Sequence, residues 1–150
     1  MLRRVAAVVL VCVLAGCQPS ARERLAGQWE GRIVFDETRI QEKLNQAQNP
    51  IQRALMQGFV ESVRSGRVRF DLKRDGTFTA AMTMGPLSNN NAGTWSVVSE
   101  SGNRVSLQLA GNDGQTKTAS VDFAQEDVLT AELDGEAKGL GVFECGRVTQ

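Results

Sequence analysis

Three cysteines, no histidine and no tyrosine set the chemistry open to this chain. Without an imidazole there is no Ser-His-Asp or Cys-His catalysis and no histidine metal site. Cys145 stands between Glu144 and Gly146, with no basic residue in the three positions before it. With no histidine to activate it and no cation on that side, it reads as a small packing residue. Glu126-Asp127, and Asp134 with Glu136, have the residue types of an acid–base pair. Both pairs fall in expected turns, where charge is simply solvated. Asn112-Asp113-Gly114 echoes a calcium loop but lacks the alternating oxygen ligands and the closing glutamate, and reads as a turn. Ser62 and Ser65, at the helix end, have no base partner and are expected to satisfy backbone groups. Gly-rich phosphate loops of the G-x-x-x-x-G-K-[ST] and G-x-G-x-x-G kinds are missing after residue 16. The residue types thus predict a non-enzymatic protein with no catalytic residue, no metal site and no cofactor.

One cysteine has a distinctive setting. Arg3 and Arg4 precede an unbroken apolar run, Val5 to Leu14, and the small residues Ala15 and Gly16 lead into Cys17. A run of about ten apolar residues is too short to span a bilayer and reads as a signal-peptide core. The segment resembles a bacterial lipoprotein signal, with Leu14-Ala15-Gly16-Cys17 as its lipobox. The resemblance implies that Cys17 is the lipidation site: its thiol receives a diacylglyceryl group, residues 1–16 are removed, and the new amine is acylated. Each buried methylene of such chains adds about 0.8 kcal/mol, so two or three chains give lasting retention at a membrane. By analogy with enteric bacteria, Gln18 after the cysteine favours the periplasmic face of the outer membrane over the inner membrane. The expected localisation is the bacterial cell envelope.

The resemblance implies that Cys12 leaves with the leader and Cys17 is blocked, which would make Cys145 the one free thiol and leave no intramolecular disulfide. The fold must stand on its hydrophobic core. Seventeen basic residues balance seventeen acidic ones. Loss of Arg3 and Arg4 leaves the remainder slightly acidic, with its charges interspersed. There is no nucleic-acid footprint. Residues 17–24 are expected to form a lipidated tether and residues 25–150 one domain, a length suited to a single compact core.

That domain alternates with period two in segment after segment. Trp29, Gly31, Ile33 and Phe35 share one face of the first, and Val68, Phe70 and Leu72 one face of the second. Phe78, Ala80, Met82 and Met84 follow the Asp75-Gly76 turn. Asn89, Asn90 and Asn91 are expected as a polar loop before Trp95 and Val97. Val105, Leu107 and Leu109, then Ala119, Val121 and Phe123, then Leu129, Ala131 and Leu133 form further rows, divided by turns at Ser101-Gly102-Asn103, Asn112-Asp113-Gly114 and Glu126-Asp127. Asp134-Gly135 turns the chain into a last strand within Leu140 to Val148. The pattern predicts a mainly β protein, an eight-stranded antiparallel meander that closes into a barrel. Eight strands leave an interior just filled by side chains or able to hold one small ligand.

One insertion breaks the rhythm. Ile40, Leu44, Ala47, Ile51, Leu55, Phe59 and Val63 recur at helical spacing between the first and second strands. Pro50 suits the first position of a helix capped by Asn49, so two helices are expected, Glu37 to Gln48 and Pro50 to Arg64. Their apolar face is expected to cover the barrel mouth near Phe35 and Val68.

The domain resembles the lipocalin-like (calycin) barrels. Gly27-Gln28-Trp29 is similar to their opening Gly-x-Trp, and Gly93-Thr94-Trp95 and Asp75-Gly76-Thr77-Phe78 to strand motifs of bacterial lipocalin-like domains. The resemblance implies that Trp29 plugs the barrel floor beneath an arginine, for which Arg147 is the candidate. An early helix pair is instead a feature of fatty-acid-binding proteins, which hold a carboxylate with an Arg and Tyr set. This chain has no tyrosine and no arginine in its inward rows. Two functions follow as expectations. In the first, a non-enzymatic envelope lipoprotein attached to the membrane through lipid on Cys17 binds a small apolar ligand in its barrel or simply displays a surface at the envelope. In the second, it is an interaction or inhibitor module that docks to another envelope protein through the helical insertion or the Asn-rich loop.

Overall fold

The computed structural model describes residues 19–85, 87–134, 139 and 141–149. The leader, Cys17 and Gln18 lie outside these residues, as do Gly135, Glu136 and Leu140. The chain begins with a short helix α1 (Ala21–Leu25) and a strand β1 (Gly27–Phe35). Helices α2 (Glu37–Gln46) and α3 (Pro50–Arg64) come next. The strands β2 (Arg67–Leu72), β3 (Thr77–Met84), β4 (Leu87–Ser101), β5 (Arg104–Gly111), β6 (Thr116–Gln125), β7 (Val128–Leu133) and β8 (Gly141–Arg147) complete it. Each strand pairs with its sequence neighbour, and β1 pairs antiparallel with β8, closing an eight-stranded barrel with a helical insertion between β1 and β2.

The period-two rows become the interior. Trp29, Val68, Phe78, Val105, Leu107, Ala119, Val121, Phe123, Leu129 and Cys145 form one buried cluster, completed by Trp95, Leu72 and two residues of α1. Removing each large apolar side chain from water contributes about 1.5–3 kcal/mol, which explains how the barrel holds without a disulfide. The outer rows carry cross-strand ion pairs instead, such as Arg69–Glu30 at 2.7 Å and Arg104–Asp122 at 3.0 Å. Being exposed, each adds about 0–1 kcal/mol and mainly keeps the wall soluble.

Residues 20–25 fall within the stretch expected as a polar tether or at its edge, but they are structured. Ser20 accepts a hydrogen bond from the Glu23 amide, and Glu23 accepts one from the Ser20 amide, a reciprocal capping box. Contact with Ser20 holds the Glu23 carboxyl below the usual carboxylate range. Ala21 and Leu25 are buried against the barrel. Five residues of mostly polar type gave no periodic signal, because only these two side chains face inward.

Asn89, Asn90 and Asn91 are not a loop. They pair with Met82, Ala81 and Ala80 as part of β4. The chain reverses earlier, beside Gly85, whose φ of +56° suits a residue without a Cβ. Phe70, expected in the core, is only half-buried, because it borders an open cavity.

The helices form where the spacing places them, and α3 starts with Pro50 after Asn49, whose side chain accepts bonds from the Ile51 and Gln52 amides. Their packing differs from expectation. Ile40, Leu44 and Val60 bury one another against Phe35 and Met56 at the end of β1, in a small cluster separate from the barrel core. Ile51, Leu55 and Phe59 remain 70%, 71% and 61% exposed. Helix α3 has two competing apolar faces, and the one containing Met56, Val60 and Val63 is buried.

Candidate functional site: an apolar cavity in the barrel

The two ends of the barrel are built differently. At one end, here the floor, α1 lies across the opening. Arg147 binds it there, donating to the Arg24 carbonyl at 2.6 Å, the Ala26 carbonyl at 2.9 Å and the Asp127 carboxylate at 2.9 Å. The same guanidinium lies 4.3 Å from the centre of the Trp29 ring, as the Gly-x-Trp resemblance led us to expect. The Trp29 indole donates to the Leu25 carbonyl at 2.8 Å. Gly27 permits this closeness: its φ is +139°, and a Cβ there would lie 2.6 Å from Arg147. Arg22 and Arg24 stack over Trp95 and Phe123 in the same manner.

Above this floor the interior is not filled. A cavity of about 200 Å³ runs from Leu25 and Trp29 up between the walls. Phe70, Ala80, Met82, Leu109, Ala131 and Phe143 line its middle. Alanine at positions 80 and 131 leaves room that a larger side chain would take. An apolar cavity of about 150 Å³ accepts a benzene-sized molecule, so this one suits a single ring or a short alkyl chain. No residue of α2 or α3 lines it. The helices pack instead against Phe35 at the end of β1.

The mouth is polar. Asn89, Asn91, Asp113, Gln115 and Lys117 border the cavity. Gly111 fits among them tightly, since a Cβ there would lie 2.5 Å from the Asp113 carboxylate and 3.2 Å from the Asn91 amide. Asp113 is turned back on its hairpin, accepting the Gln115 amide at 3.0 Å. Lys117 pairs across the ladder with Leu109 and shares the inward row of Ala119 and Val121. Sequence reading stopped that row at Ala119. Extending it by period two to Lys117 and Gln115 would have found the rim.

The other residues weighed for chemistry have structural roles or lie in solvent. Asp127 is the ion-pair partner of Arg147, while Glu126 is exposed. The Ser62 hydroxyl donates to the Gly58 carbonyl at 2.9 Å, and the Ser65 hydroxyl to the Ser62 carbonyl at 3.0 Å. Cys145 is 2% exposed, and burial pushes its thiol up to about 11, away from the thiolate a nucleophile needs. Among the described residues no group of three or more Cys, Asp or Glu side chains gathers to hold a metal ion, and no helix is long and apolar enough to cross a membrane. Compared with family models, curated proteins and solved structures, the chain matches none.

Proposed function

We propose that this protein is a membrane-anchored envelope lipoprotein, lipid-linked through Cys17, whose barrel holds one small apolar ligand. The cavity carries the ligand half of this reading: an unfilled apolar space open beside a polar rim is what a binding site requires and what a purely structural core avoids. The lipobox carries the anchor half. The two fit together in space. Ser20 caps a helix docked on the floor, and three residues can reach no more than about 10 Å, so an anchor at Cys17 would keep the floor toward the lipid. The mouth would then face the aqueous side.

Titration with octan-1-ol, read by Trp29 fluorescence at the cavity floor, tests the binding half. Saturable binding is expected, and Ala131→Phe should abolish it while leaving a folded barrel. Absence of saturable binding to the folded wild-type protein would refute it. For the anchor, the wild-type protein should incorporate labelled palmitate and Cys17→Ser should not. Labelling that persists in Cys17→Ser would refute that half.

The exposed row Ile51, Leu55 and Phe59 supports a second reading, docking of another envelope protein on α3. The polar triplet 89–91 no longer offers a loop for this purpose. Docking on α3 should survive Ala131→Phe and fail in a Leu55→Asp/Phe59→Asp variant, measured as co-purification of a defined partner from solubilised envelopes. Equal recovery from both variants would reject it.

A further inference from the structure

We infer that the ligand is a small amphipathic anion, with its apolar portion in the barrel and its charged head at Lys117. The inference rests on the binding reading above and specifies the chemistry of that same site. It starts from a mismatch in the cavity. The wall is apolar from Trp29 up to Leu109, yet the next inward position beyond Ala119 on β6 is a lysine. An ammonium on an inward row either snorkels to water or meets an anion.

The described residues provide no ion-pair partner for Lys117, although most other basic side chains of the barrel wall have one: Arg69 pairs with Glu30, Arg104 with Asp122 and Arg147 with Asp127. The carboxylate at the same rim, Asp113, is committed to the Gln115 amide within its own turn. Asn89 and Asn91 place amide groups on the facing inward row of β4, at the registers of Met82 and Ala80. They supply neutral donors to a head group without adding negative charge. The rim at the top of the apolar shaft therefore holds one cation without an ion-pair partner among the described residues, two neutral amides, and one carboxylate turned to its own hairpin.

The cavity volume limits the tail. About 200 Å³ accommodates a short alkyl chain or one ring, and excludes a diacyl lipid. The head has to lie at the solvent edge, where Lys117 is exposed, so its contribution is modest and screened by salt.

The test compares two probes with the same chain, octanoate and octan-1-ol, on the full chain and on Lys117→Met, at low and high salt. Octanoate should bind the wild-type protein about fivefold more tightly than octan-1-ol at low salt, as expected for one partly exposed charge pair. The preference should vanish in Lys117→Met and shrink at high salt, while octan-1-ol affinity stays the same in both proteins. If octan-1-ol binds but octanoate shows no preference, or a preference that survives Lys117→Met, the anionic head is wrong and the cavity reading stands. If neither probe binds, the cavity reading fails and this inference fails with it.

Discussion

The floor and the mouth of this barrel are made from the same eight strands and reach opposite solutions. At the floor the large polar side chains bind within the chain: Arg147 binds two carbonyls and a carboxylate, and the Trp29 and Trp95 indoles each donate to a carbonyl. At the mouth Lys117 has no ion-pair partner among the described residues, the shaft below it is open, and three large side chains of α3 face water. Dense packing and open space are divided along the barrel axis. A closed barrel permits this because the ladder hydrogen bonds around its girth hold both ends, whichever end is packed.

Substitutions at the two ends should therefore differ in what they damage. The largest effect is expected from Trp29→Ala, which removes the floor plug and opens a cavity beside Phe123. A loss of about 4 kcal/mol in denaturant unfolding is expected. Arg147→Met keeps the apolar stem and deletes the bonds to α1, so a loss of about 3 kcal/mol should follow. Equal stability of either variant and the wild type would mean the floor is not the structural end.

Cys145 gives a smaller, pH-dependent signal. Its folded thiol is raised to about 11 from the usual 9.0, so the neutral form is favoured by folding. That contribution is intact below pH 9 and fades as pH rises toward 11, amounting to about 2 kcal/mol. Wild-type protein should lose this much relative to Cys145→Ala over that range, and iodoacetamide should label the Cys145 peptide at pH 8 only after unfolding. Rapid native-state labelling of that peptide would contradict its burial. The smallest effect belongs to the mouth end: Leu55→Asp should change stability by less than about 0.5 kcal/mol, since the residue is 71% exposed. A loss of several kcal/mol there would mean that α3 packs its other face inward after all.

The division between the ends also sorts what could be read in the sequence. Strand order, the turns at Gly76, Gly102 and Gly114, and the Asn49-Pro50 helix start were legible because each depends on local pattern: alternation, positive φ, or a capping side chain. Trp29 and Arg147 were legible as a pair only through a resemblance, since 118 positions separate them and no local pattern links them. The cavity was not legible. Ala80, Met82 and Leu109 have the same residue types whether they touch a neighbour or an empty space, and periodicity reports the direction of a side chain without reporting what it meets. The same limit applies to α3, where Ile51/Leu55/Phe59 and Met56/Val60/Val63 both recur at helical spacing. Tertiary contact with Phe35 and α2 selects between them.

The contrast between a solid floor and a hollow mouth is tested most directly by xenon under pressure, followed through the methyl resonances of the folded protein. Xenon enters dry apolar cavities and ignores well-packed cores. The predicted result is saturable shifts at Met82, Leu109 and Ala131, none at Val97 and Val105, and loss of the effect in Ala131→Phe. Shifts at Val105, or no saturable shift at Met82 and Leu109, would contradict it.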